Sequence, residues 1–453
     1  MIPLYLDLET ARKELSARRA SASLELPAEM RARNQAVFGE DLTAVEVVQR
    51  IITDVQRTGD DALRRYAKAF EGVDLSDLEV SADEIEAASA RVSPELRAAL
   101  EIAAERIQRF HERSRRESWF DFAEGSTLGQ LIVPLHRVGI YAPGGRAPYP
   151  STVLMTAVPA RVAGVDEVIL VTPVGRDGRM SDAVLAAAQI ARVHRVFRIG
   201  GAQAIAALAY GTETIPRVDK IVGPGNVFVV LAKQAVAGVV GIDGLPGPTE
   251  TVIVADAHAD PSWVAADMIA QAEHDPMAQS VLVCTDRAFA EAVLREIEPR
   301  VEEAERRDVI TASFAARGAI VVAESVDAAI DFANDHAPEH VCLAVADPWS
   351  YVAKIRNAGG LFIGESSVEA LGDYAAGPSH VMPTGGAAHF ASALNLDDFT
   401  RVIPVFSYDP AVLRREAAAA IAIARAEGLT GHARAIEARL NSVTLPRAPG
   451  ERA

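Results

Sequence analysis

The sequence predicts an α/β protein with a parallel sheet. From Arg137 onward, short apolar runs such as VGIYAPGG, EVILVTPV and RVFRIGG alternate with helical segments. Gly-rich turns end several of these runs, and βα repetition of this kind is typical of a parallel sheet with a ligand crevice at the carboxyl ends of its strands. A second, similar series begins after residue 250. We therefore predict two incomplete Rossmann-like parallel-sheet modules, with a helical N-terminal arm and a helical C-terminal tail.

Length and composition limit the possible classes. At 453 residues the chain is expected to form two or more domains, because one hydrophobic core rarely extends so far. Hydrophobic residues make up 49% and charged residues 24%, as in a soluble globular protein. The net charge of -17 argues against nucleic acid as a partner. Cys284 and Cys342 both lie in apolar runs, which favours core packing in a reducing compartment over a disulfide.

The two ends of the chain lack targeting features in this interpretation. The N-terminal stretch MIPLYLDLETARKEL becomes charged by Asp7, so we expect no signal peptide. The apolar run AAAAIAIARA contains Arg425 and is too short to span a bilayer. We expect a cytoplasmic protein with no membrane partner.

Changes of pattern divide the chain into segments. The Gly/Pro-rich stretch GIDGLPGPTE is the clearest boundary. In the tail, a helix is expected to start at Asp409-Pro410 and to run to about Glu427. The segments are a helical N-terminal arm (1–34), the helical part of the first α/β domain (35–137), the first Rossmann-like module (138–249), the second module, which continues the first α/β domain (250–394), and the helical tail (395–453).

A helix over 260–275 carries the first candidate site. Asp260 followed by Pro261 is typical of an N-cap and first helical position. Gln271 and His274 are three residues apart, so on a helix they share a face. An amide oxygen and an imidazole nitrogen suit zinc, although such a pair is more often part of a solvated helix face.

Gly-rich turns and a basic patch have competing interpretations. The turns at Gly144-Gly145, 200–203 and 223–226 are not a GxGxxG fingerprint, but their equivalent positions indicate a nucleotide crevice, with ordinary loops as the alternative. The basic patch 111–116 is interpreted as a solvated helix face rather than a nucleic-acid site.

Three further polar clusters follow in the second half. Glu339 and His340 lie at a helix-to-strand junction and offer two proton acceptors near neutral pH, although a lone pair of this kind is usually surface charge. The loop 372–380 contains Asp373 and His380, and long ordered loops are often functional. Glu427 and His432 form the last cluster.

Together these motifs, in this order, resemble the histidinol dehydrogenases, which are zinc enzymes of histidine biosynthesis. The resemblance covers about residues 35–440 and includes VGIYAPGGRAPYPSTVLM, GGAQAIAALAYGTE, VDKIVGPGN, GPTE, QAEHD, APEH, GDYAAGPSHVMPTGG and GLTGH. It implies four-electron oxidation of L-histidinol to L-histidine through bound L-histidinal with two NAD. It also implies an intertwined homodimer with shared active sites and one zinc ion per subunit.

The resemblance also implies a role for each candidate residue. The second module would hold zinc and the first would bind NAD. The implied roles are zinc ligation by Gln271, His274, Asp373 and His432, which would also contact the substrate, acid/base catalysis by Glu339 and His340, substrate binding by Thr249, His340, His380 and Glu427, and NAD binding by Tyr141, Gln203 and Asn226. Thr249 stands where many relatives have serine, so the hydroxyl is kept.

Other functions are open to the same sequence. A relative could use the same machinery on another small alcohol, but His380 and Glu427, implied to hold histidinol, are both present. A non-catalytic nucleotide-binding or scaffold protein would require four polar clusters to be accidental. Covalent aldehyde oxidation would need an activated cysteine. Cys342 is close to His340, yet its apolar run is typical of an inert buried thiol.

Overall fold

The computed structural model describes residues 2–20, 28–144, 148–175 and 177–442. Their contacts divide the chain into two compact units. The first unit consists of Met1–Ser114 and Leu135–Phe399, and the second of Arg115–Pro134 and Thr400–Ala453. Gly145 of the predicted Gly144-Gly145 turn, residues 21–27 of the predicted arm and the tail beyond residue 442 lie outside the described residues.

Strands and helices alternate through most of the chain. The strands are β1 (Leu4–Tyr5), β2 (Trp119–Ala123), β3 (Ser126–Pro134), β4 (Arg137–Tyr141), β5 (Glu167–Thr172), β6 (Arg195–Arg198), β7 (Lys220–Val222), β8 (Gly241–Ile242), β9 (Glu250–Ala255), β10 (Gln279–Cys284), β11 (Ala319–Val322), β12 (His340–Ala344), β13 (Gly360–Ile363) and β14 (Thr400–Tyr408). The α-helices are α1 (Leu8–Ala20), α2 (Ala28–Phe38), α3 (Ala44–Tyr66), α4 (Ala82–Arg91), α5 (Pro94–Glu112), α6 (Pro150–Ala163), α7 (Asp182–Ile190), α8 (Gly201–Tyr210), α9 (Val227–Val236), α10 (Pro261–Ala272), α11 (Arg287–Glu303), α12 (Arg307–Ala316), α13 (Val326–His336), α14 (Glu369–Tyr374), α15 (Pro410–Ala426) and α16 (Thr430–Ser442).

The first unit contains both predicted parallel sheets. The first sheet has the strand order β6-β5-β4-β7-β8, and the second sheet has the order β1-β11-β10-β9-β12-β13. All of their strand pairs are parallel. Near-continuous apolar strands such as EVILVT are buried along their length, as parallel strands require. The α/β class is therefore confirmed.

The N-terminal arm differs from the prediction in one respect. It was expected to be helical, but Leu4 and Tyr5 form β1, which pairs in parallel with β11 at the edge of the second sheet. Two residues carry too little periodicity to be recognised as a strand from the sequence. Their partner strand also lies more than 300 residues away. The following helix α1 buries Ala11 and Leu15 against the core of the second sheet.

The second unit contains an antiparallel sheet that the sequence did not predict. Its strand order is β14-β3-β2, and β14 pairs with β3 from Thr400 opposite Pro134 to Tyr408 opposite Ser126. The start of the tail, expected to be helical, is therefore a strand. Helix α15 does begin as predicted, because Asp409 accepts hydrogen bonds at its N-terminus from the amides of Ala411 and Val412, each at 2.8 Å.

Large apolar side chains are exposed on the strands of this antiparallel sheet. The exposed fraction reaches 78% for Phe122 and 69% for Phe406. Other large apolar side chains exposed on these strands are Trp119, Phe120, Leu128, Leu131, Val402, Ile403 and Tyr408. Exposed apolar surface on this scale usually marks an interaction surface.

The buried cysteines agree with the sequence-based expectation, whereas one helical segment differs from it. Cys284 and Cys342 are buried, free thiols, as expected. The segment PWSYVAKIRNAGG, which is expected to be a helix because it lies between two strand-like runs, is a 3-10 helix only over Pro348–Lys354. Among the helices in the described ranges, none combines the length and apolar character needed to cross a bilayer.

Candidate active site

The predicted acid/base pair lies at the amino-terminal edge of the second sheet. Strands β9 and β12 are neighbours in this sheet, with His340 opposite Thr251. Thr249 and Glu339 directly precede these strands, so both are placed at the same edge. The turn before β12 is tight because Ala337 has the left-handed φ of 48°. The usual rule for parallel sheets, which places ligands at the carboxyl ends of strands, does not describe this half of the molecule.

Helix α10 brings two of the predicted metal ligands, Gln271 and His274, to the same edge. Asp260 caps the helix by accepting a hydrogen bond from the amide of Ser262 at 2.8 Å, as the sequence predicted. Gln271 lies in the last turn and is buried. His274 lies just beyond the helix and is exposed, and its amide bonds back to the carbonyl of Gln271. The next strand, β10, then starts beside β9.

Glu339 is held by two hydrogen bonds to one carboxylate oxygen. Thr249 Oγ1 donates to Oε2 of Glu339 at 2.5 Å, and the amide of Glu250 donates to the same oxygen at 3.2 Å. The Thr249 hydroxyl also lies 3.2 Å from Oε1 of Gln271. Glu339 is buried, and burial raises its pKa above the usual range of a glutamate. This carboxyl group therefore holds a proton more readily than an exposed glutamate does.

His340 is buried among carboxylates. Burial alone would lower its pKa, but the carboxylates of Glu339, Glu369 and Asp373 outweigh burial and raise the pKa of His340 to about 9. Its Nδ1 lies 3.4 Å from Oε2 of Glu369. Within the described residues neither ring nitrogen has a hydrogen-bond partner. The ring packs edge-on against Phe362, with 5.5 Å between the centroids.

Glu369 is a part of this site that sequence reasoning missed. It lies on α14, four residues before Asp373, so both carboxylates share one helix face. Its Oε1 accepts hydrogen bonds from the Thr251 hydroxyl and, at 2.7 Å, from the Cys342 thiol. Burial alone would raise the pKa of Glu369, but the charge of His340 and these hydrogen bonds lower it. The only sequence signal was this four-residue spacing.

His380 is held between two parts of the first unit. Its Nδ1 donates to the backbone carbonyl of Asp373 at 2.8 Å, and its Nε2 lies 3.2 Å from the hydroxyl of Thr152 on α6. Because Nδ1 is the donor, a neutral ring accepts from Thr152 at Nε2. Burial lowers the pKa of His380, which agrees with that neutral form. Thr152 was also missed, since it lies 228 residues away in sequence.

The predicted cofactor residues lie at the carboxyl-terminal edge of the first sheet, as the crevice rule predicts. Tyr141 ends β4, and its hydroxyl accepts a hydrogen bond from the amide of Gly201 at 3.1 Å. Tyr141 is buried, and burial raises its pKa to about 12. Gln203 is buried on α8, whereas Asn226 is exposed at the start of α9. The three residues therefore lie at the end of β4 and at the starts of the helices that follow β6 and β7.

Comparison with known proteins decides the family. The family model described as histidinol dehydrogenase matches residues 35–440. A curated histidinol dehydrogenase from Deinococcus radiodurans is 49% identical over 96% of this chain and 99% of its own length. One from Moorella thermoacetica is 51% identical over 86% of this chain and 93% of its own length. The crystal structure of histidinol dehydrogenase from Elizabethkingia anophelis aligns with a TM-score of 0.88 at 34% identity, covering 97% of this chain and 98% of that one.

The chain belongs to the histidinol dehydrogenase family. The resemblance inferred from the motifs is thus confirmed, and with it the oxidoreductase class. The α/β architecture with two parallel sheets agrees with the solved family structure.

The metal-ligand set implied by this family is divided between the two units. Gln271, His274 and Asp373 lie in the first unit, and His432 lies in the second. In the described ranges, no three His, Cys, Asp or Glu side chains form a group that could hold a metal ion. The donors of the first unit are an amide, an imidazole and a carboxylate, which are ligand types that zinc accepts. These three donor groups are of types that fit zinc, and a fourth ligand would be needed to complete the site.

The two tail residues implied by the family are exposed. Glu427 follows the last residue of α15, and His432 lies in the first turn of α16. Both side chains face solvent in the single chain. The structure therefore offers them to a ligand or to a second molecule.

Proposed function

We propose that this chain oxidises L-histidinol to L-histidine through bound L-histidinal, with reduction of two NAD, in the final steps of histidine biosynthesis. The observation that carries the proposal is the buried pair of Glu339 and His340 beside Asp373 and His380. Two proton-exchanging groups with different surroundings are what two consecutive oxidations need.

In its neutral form, His340 removes the alcohol proton in the first oxidation, and because its pKa is raised to about 9, this form becomes more populated as the pH rises toward that value. Its ring nitrogens have no other partner in the described part of the chain, so one of them is available to the substrate hydroxyl. Glu369 lies 3.4 Å from Nδ1 and stabilises the protonated ring. NAD, when bound, accepts the hydride, and Tyr141, Gln203 and Asn226 are the residues proposed to hold it.

Glu339 serves the second oxidation. An aldehyde must be hydrated before it can lose a second hydride, and a carboxylate beside it can accept a proton from the attacking water. Oε2 of Glu339 is occupied by Thr249 and the amide of Glu250, which leaves Oε1 for this water. As the water adds, the protonated His340 returns its proton to the aldehyde oxygen, and the neutral ring then takes one hydroxyl proton of the hydrate in the second oxidation.

Zinc is the proposed metal, with Gln271, His274 and Asp373 of one subunit and His432 of the other as ligands. When bound, it orients the substrate and polarises its oxygen. A cluster of carboxyl groups near the proposed ligands favours a bound cation. Asp267 lies near Glu369 and Glu365, and burial together with those two carboxylates raises the pKa of Asp267 to about 6. Thr249, His380 and Glu427 are proposed to hold the amine and imidazole of the substrate.

The proposed assembly is an intertwined homodimer that shares its active sites. The exposed apolar strands of the second unit support an interface, because monomers rarely expose such surfaces. Exchange of one element between two identical chains is a common route to dimers with two-fold symmetry. In this proposal Glu427 and His432 act in the partner's site.

Absorbance of NADH on addition of L-histidinol tests the activity. Two equivalents of NADH for each substrate molecule are expected, and chelation of zinc should abolish turnover. Turnover of another small amino alcohol, but not of histidinol, would instead indicate a relative with a different substrate. No NADH from any alcohol would indicate a non-catalytic binding protein.

A further inference from the structure

A fully buried ion pair joins Lys233 on α9 to Asp243 after β8. The side chains are 1% and 3% exposed, and the Lys233 ammonium donates to Oδ1 of Asp243. Burial of two charges is unfavourable unless both are paired and fully hydrogen-bonded. An ion pair in such a place therefore requires a reason other than stability, and neither residue belongs to the site described above.

The same two side chains bind both backbone groups of Gly223. Oδ2 of Asp243 accepts a hydrogen bond from the Gly223 amide at 2.7 Å, and Nζ of Lys233 donates to the Gly223 carbonyl at 3.0 Å. Asp243, Lys233 and Gly223 thus form a closed ring of hydrogen bonds. Two apolar side chains of the same volume could fill this space, but they could not hold the N–H and the C=O of one residue.

Gly223 lies where no other residue fits. Its φ is +109°, and an added Cβ would lie 2.2 Å from the carbonyl oxygen of Tyr141. The backbone of the turn after β7 therefore packs directly on the end of β4. Tyr141 contacts the turn after β6 through its hydroxyl and Gly201. A shift of Gly223 would consequently disturb the relation between the turns that carry the proposed cofactor residues.

The turn held in this way ends at Asn226. Oδ1 of Asn226 caps α9 by accepting hydrogen bonds from the amides of Phe228 at 3.0 Å and Val229 at 3.2 Å. Since the amide oxygen is used, the amide NH2 is the group left to donate to a ligand. Its direction depends on the path of residues 223–226, of which Gly223 is the start.

We propose that Lys233 and Asp243 are positioning residues for the dinucleotide: they set the geometry of the 223–226 turn and thereby the affinity for NAD, without touching it. The inference rests on the proposed function, because NAD is the ligand concerned. Misplacement of a binding group by a fraction of an ångström is enough to reduce affinity or rate.

The double variant Lys233→Met/Asp243→Asn tests this role. It leaves no unpaired charge, and the new asparagine oxygen can still accept from the Gly223 amide, whereas the Gly223 carbonyl loses its donor. The matched control is Arg137→Met/Glu167→Gln, which neutralises an ion pair at the amino-terminal ends of the same sheet. The measurements are the Kd for NAD by calorimetry, the KM for NAD and for histidinol, kcat, and the thermal midpoint.

The expected result is a rise of about tenfold or more in both Kd and KM for NAD, with kcat and the KM for histidinol within about twofold of the native values. The control variant should show native NAD affinity even if its thermal midpoint falls as far as that of the double variant. A folded double variant with native NAD affinity would overturn the inference and leave the proposed function intact. If the native chain bound no NAD, the proposed function would fail together with the inference.

The double variant Lys233→Gln/Asp243→Asn decides the matter if Lys233→Met/Asp243→Asn does not fold. It leaves no unpaired charge and keeps neutral donors and acceptors around Gly223, but it removes the charge assistance of their hydrogen bonds. A loss of at least threefold in NAD affinity, unmatched by the control, is expected. Unchanged affinity would overturn the inference.

Discussion

Thr249 Oγ1 donates a hydrogen bond of 2.5 Å to Oε2 of Glu339, which is 90 residues further along the chain. Burial raises the pKa of Glu339, while the charge of His340 and the hydrogen bond from Thr249 favour its ionised form. The threonine hydroxyl therefore both fixes the direction of the carboxylate and controls how readily it accepts a proton.

Two replacements of Thr249 distinguish the effect of its hydroxyl group on the rate from the effect of its side-chain shape. Thr249→Val should lower oxidation of histidinal by about 10- to 100-fold, because a hydrogen bond to a charged group contributes about 1.5–3 kcal/mol. Thr249→Ser keeps the hydroxyl and should stay within about threefold of the native rate. Steady-state rates with histidinal measure both. Equal losses in the two variants would show that the methyl group, not the hydroxyl, matters.

Glu339 and His340 are expected to differ in the step they serve. Glu339→Gln should slow histidinal oxidation by about 10²–10⁴-fold and histidinol oxidation much less, because only the aldehyde requires an activated water. His340→Asn should slow both steps, since each hydride transfer requires a base. Single-turnover rates from each substrate distinguish the steps. Equal losses in both steps for Glu339→Gln would contradict its assigned role.

Cys342 is expected to take no covalent part in aldehyde oxidation. Burial raises the pKa of its thiol well above the usual range, so a thiolate nucleophile is not available. The thiol instead donates to Glu369 at 2.7 Å. Cys342→Ser retains a donor and should keep both rates within about threefold of native, whereas Cys342→Ala should lose more. Loss of histidinal oxidation alone in a folded Cys342→Ser variant would indicate a covalent route.

His111 on α5 should make stability depend on pH. Its ring is buried, neither ring nitrogen has a hydrogen-bond partner in the described ranges, and burial lowers its pKa to about 4. The unfolded chain binds a proton below about pH 6.5, whereas the native chain does so only below about 4. Stability should therefore fall as pH falls through this interval, by about 1 to 3 kcal/mol.

His111→Leu removes this dependence and serves as the comparison. Between pH 8 and pH 4, the thermal midpoint of the native protein should fall more steeply than that of His111→Leu, so the difference between the two midpoints should change in favour of the variant. Curves that remain parallel would show that His111 is not the group concerned.

Mixed dimers test whether active sites are shared between subunits. Glu339→Gln and His432→Asn are each expected to lose nearly all conversion of L-histidinol to L-histidine. In a heterodimer with exchanged tails, one site has both defects and the other has none, so co-expression should restore about a quarter of native activity by symmetry. NADH production by the co-expressed mixture, with heterodimers verified by mass, measures the recovery.

The control for this experiment combines Glu339→Gln with His340→Asn. Both residues lie in the first unit of the same chain, so every heterodimer site keeps one defect and no recovery is expected. Recovery in neither mixture would show that each tail serves its own chain.

The sequence predicted the two parallel sheets because each strand is a short apolar run followed by a Gly-rich turn and a helix. The antiparallel sheet escaped prediction for two reasons. Its strands expose large apolar side chains instead of alternating, and β14 pairs with β3 across more than 250 residues. The second half of the chain also places its polar residues at the amino ends of strands, which the general rule for α/β sheets does not anticipate.

Within the site, the sequence groups residues that are local along the chain. Glu339 and His340 are adjacent, and Gln271 and His274 share one helix end, but either pair alone is more often surface charge or a solvated helix face, and their assigned roles stay predictions. Thr152 and Glu369 are isolated polar residues in ordinary helices. Their roles arise from contacts with His380 and His340, which only the folded chain establishes.

The exposed aromatic strands of the second unit have a consequence for any assay at low protein concentration. In the proposed dimer, each catalytic centre is completed by another molecule, so the number of working centres obeys mass action. Specific activity should remain constant at high concentration and decline on dilution, with a lag in turnover when diluted protein is concentrated again. A free peptide copy of the tail carrying His432→Asn would compete for the same surface, which makes self-association a point at which the enzyme could be inhibited.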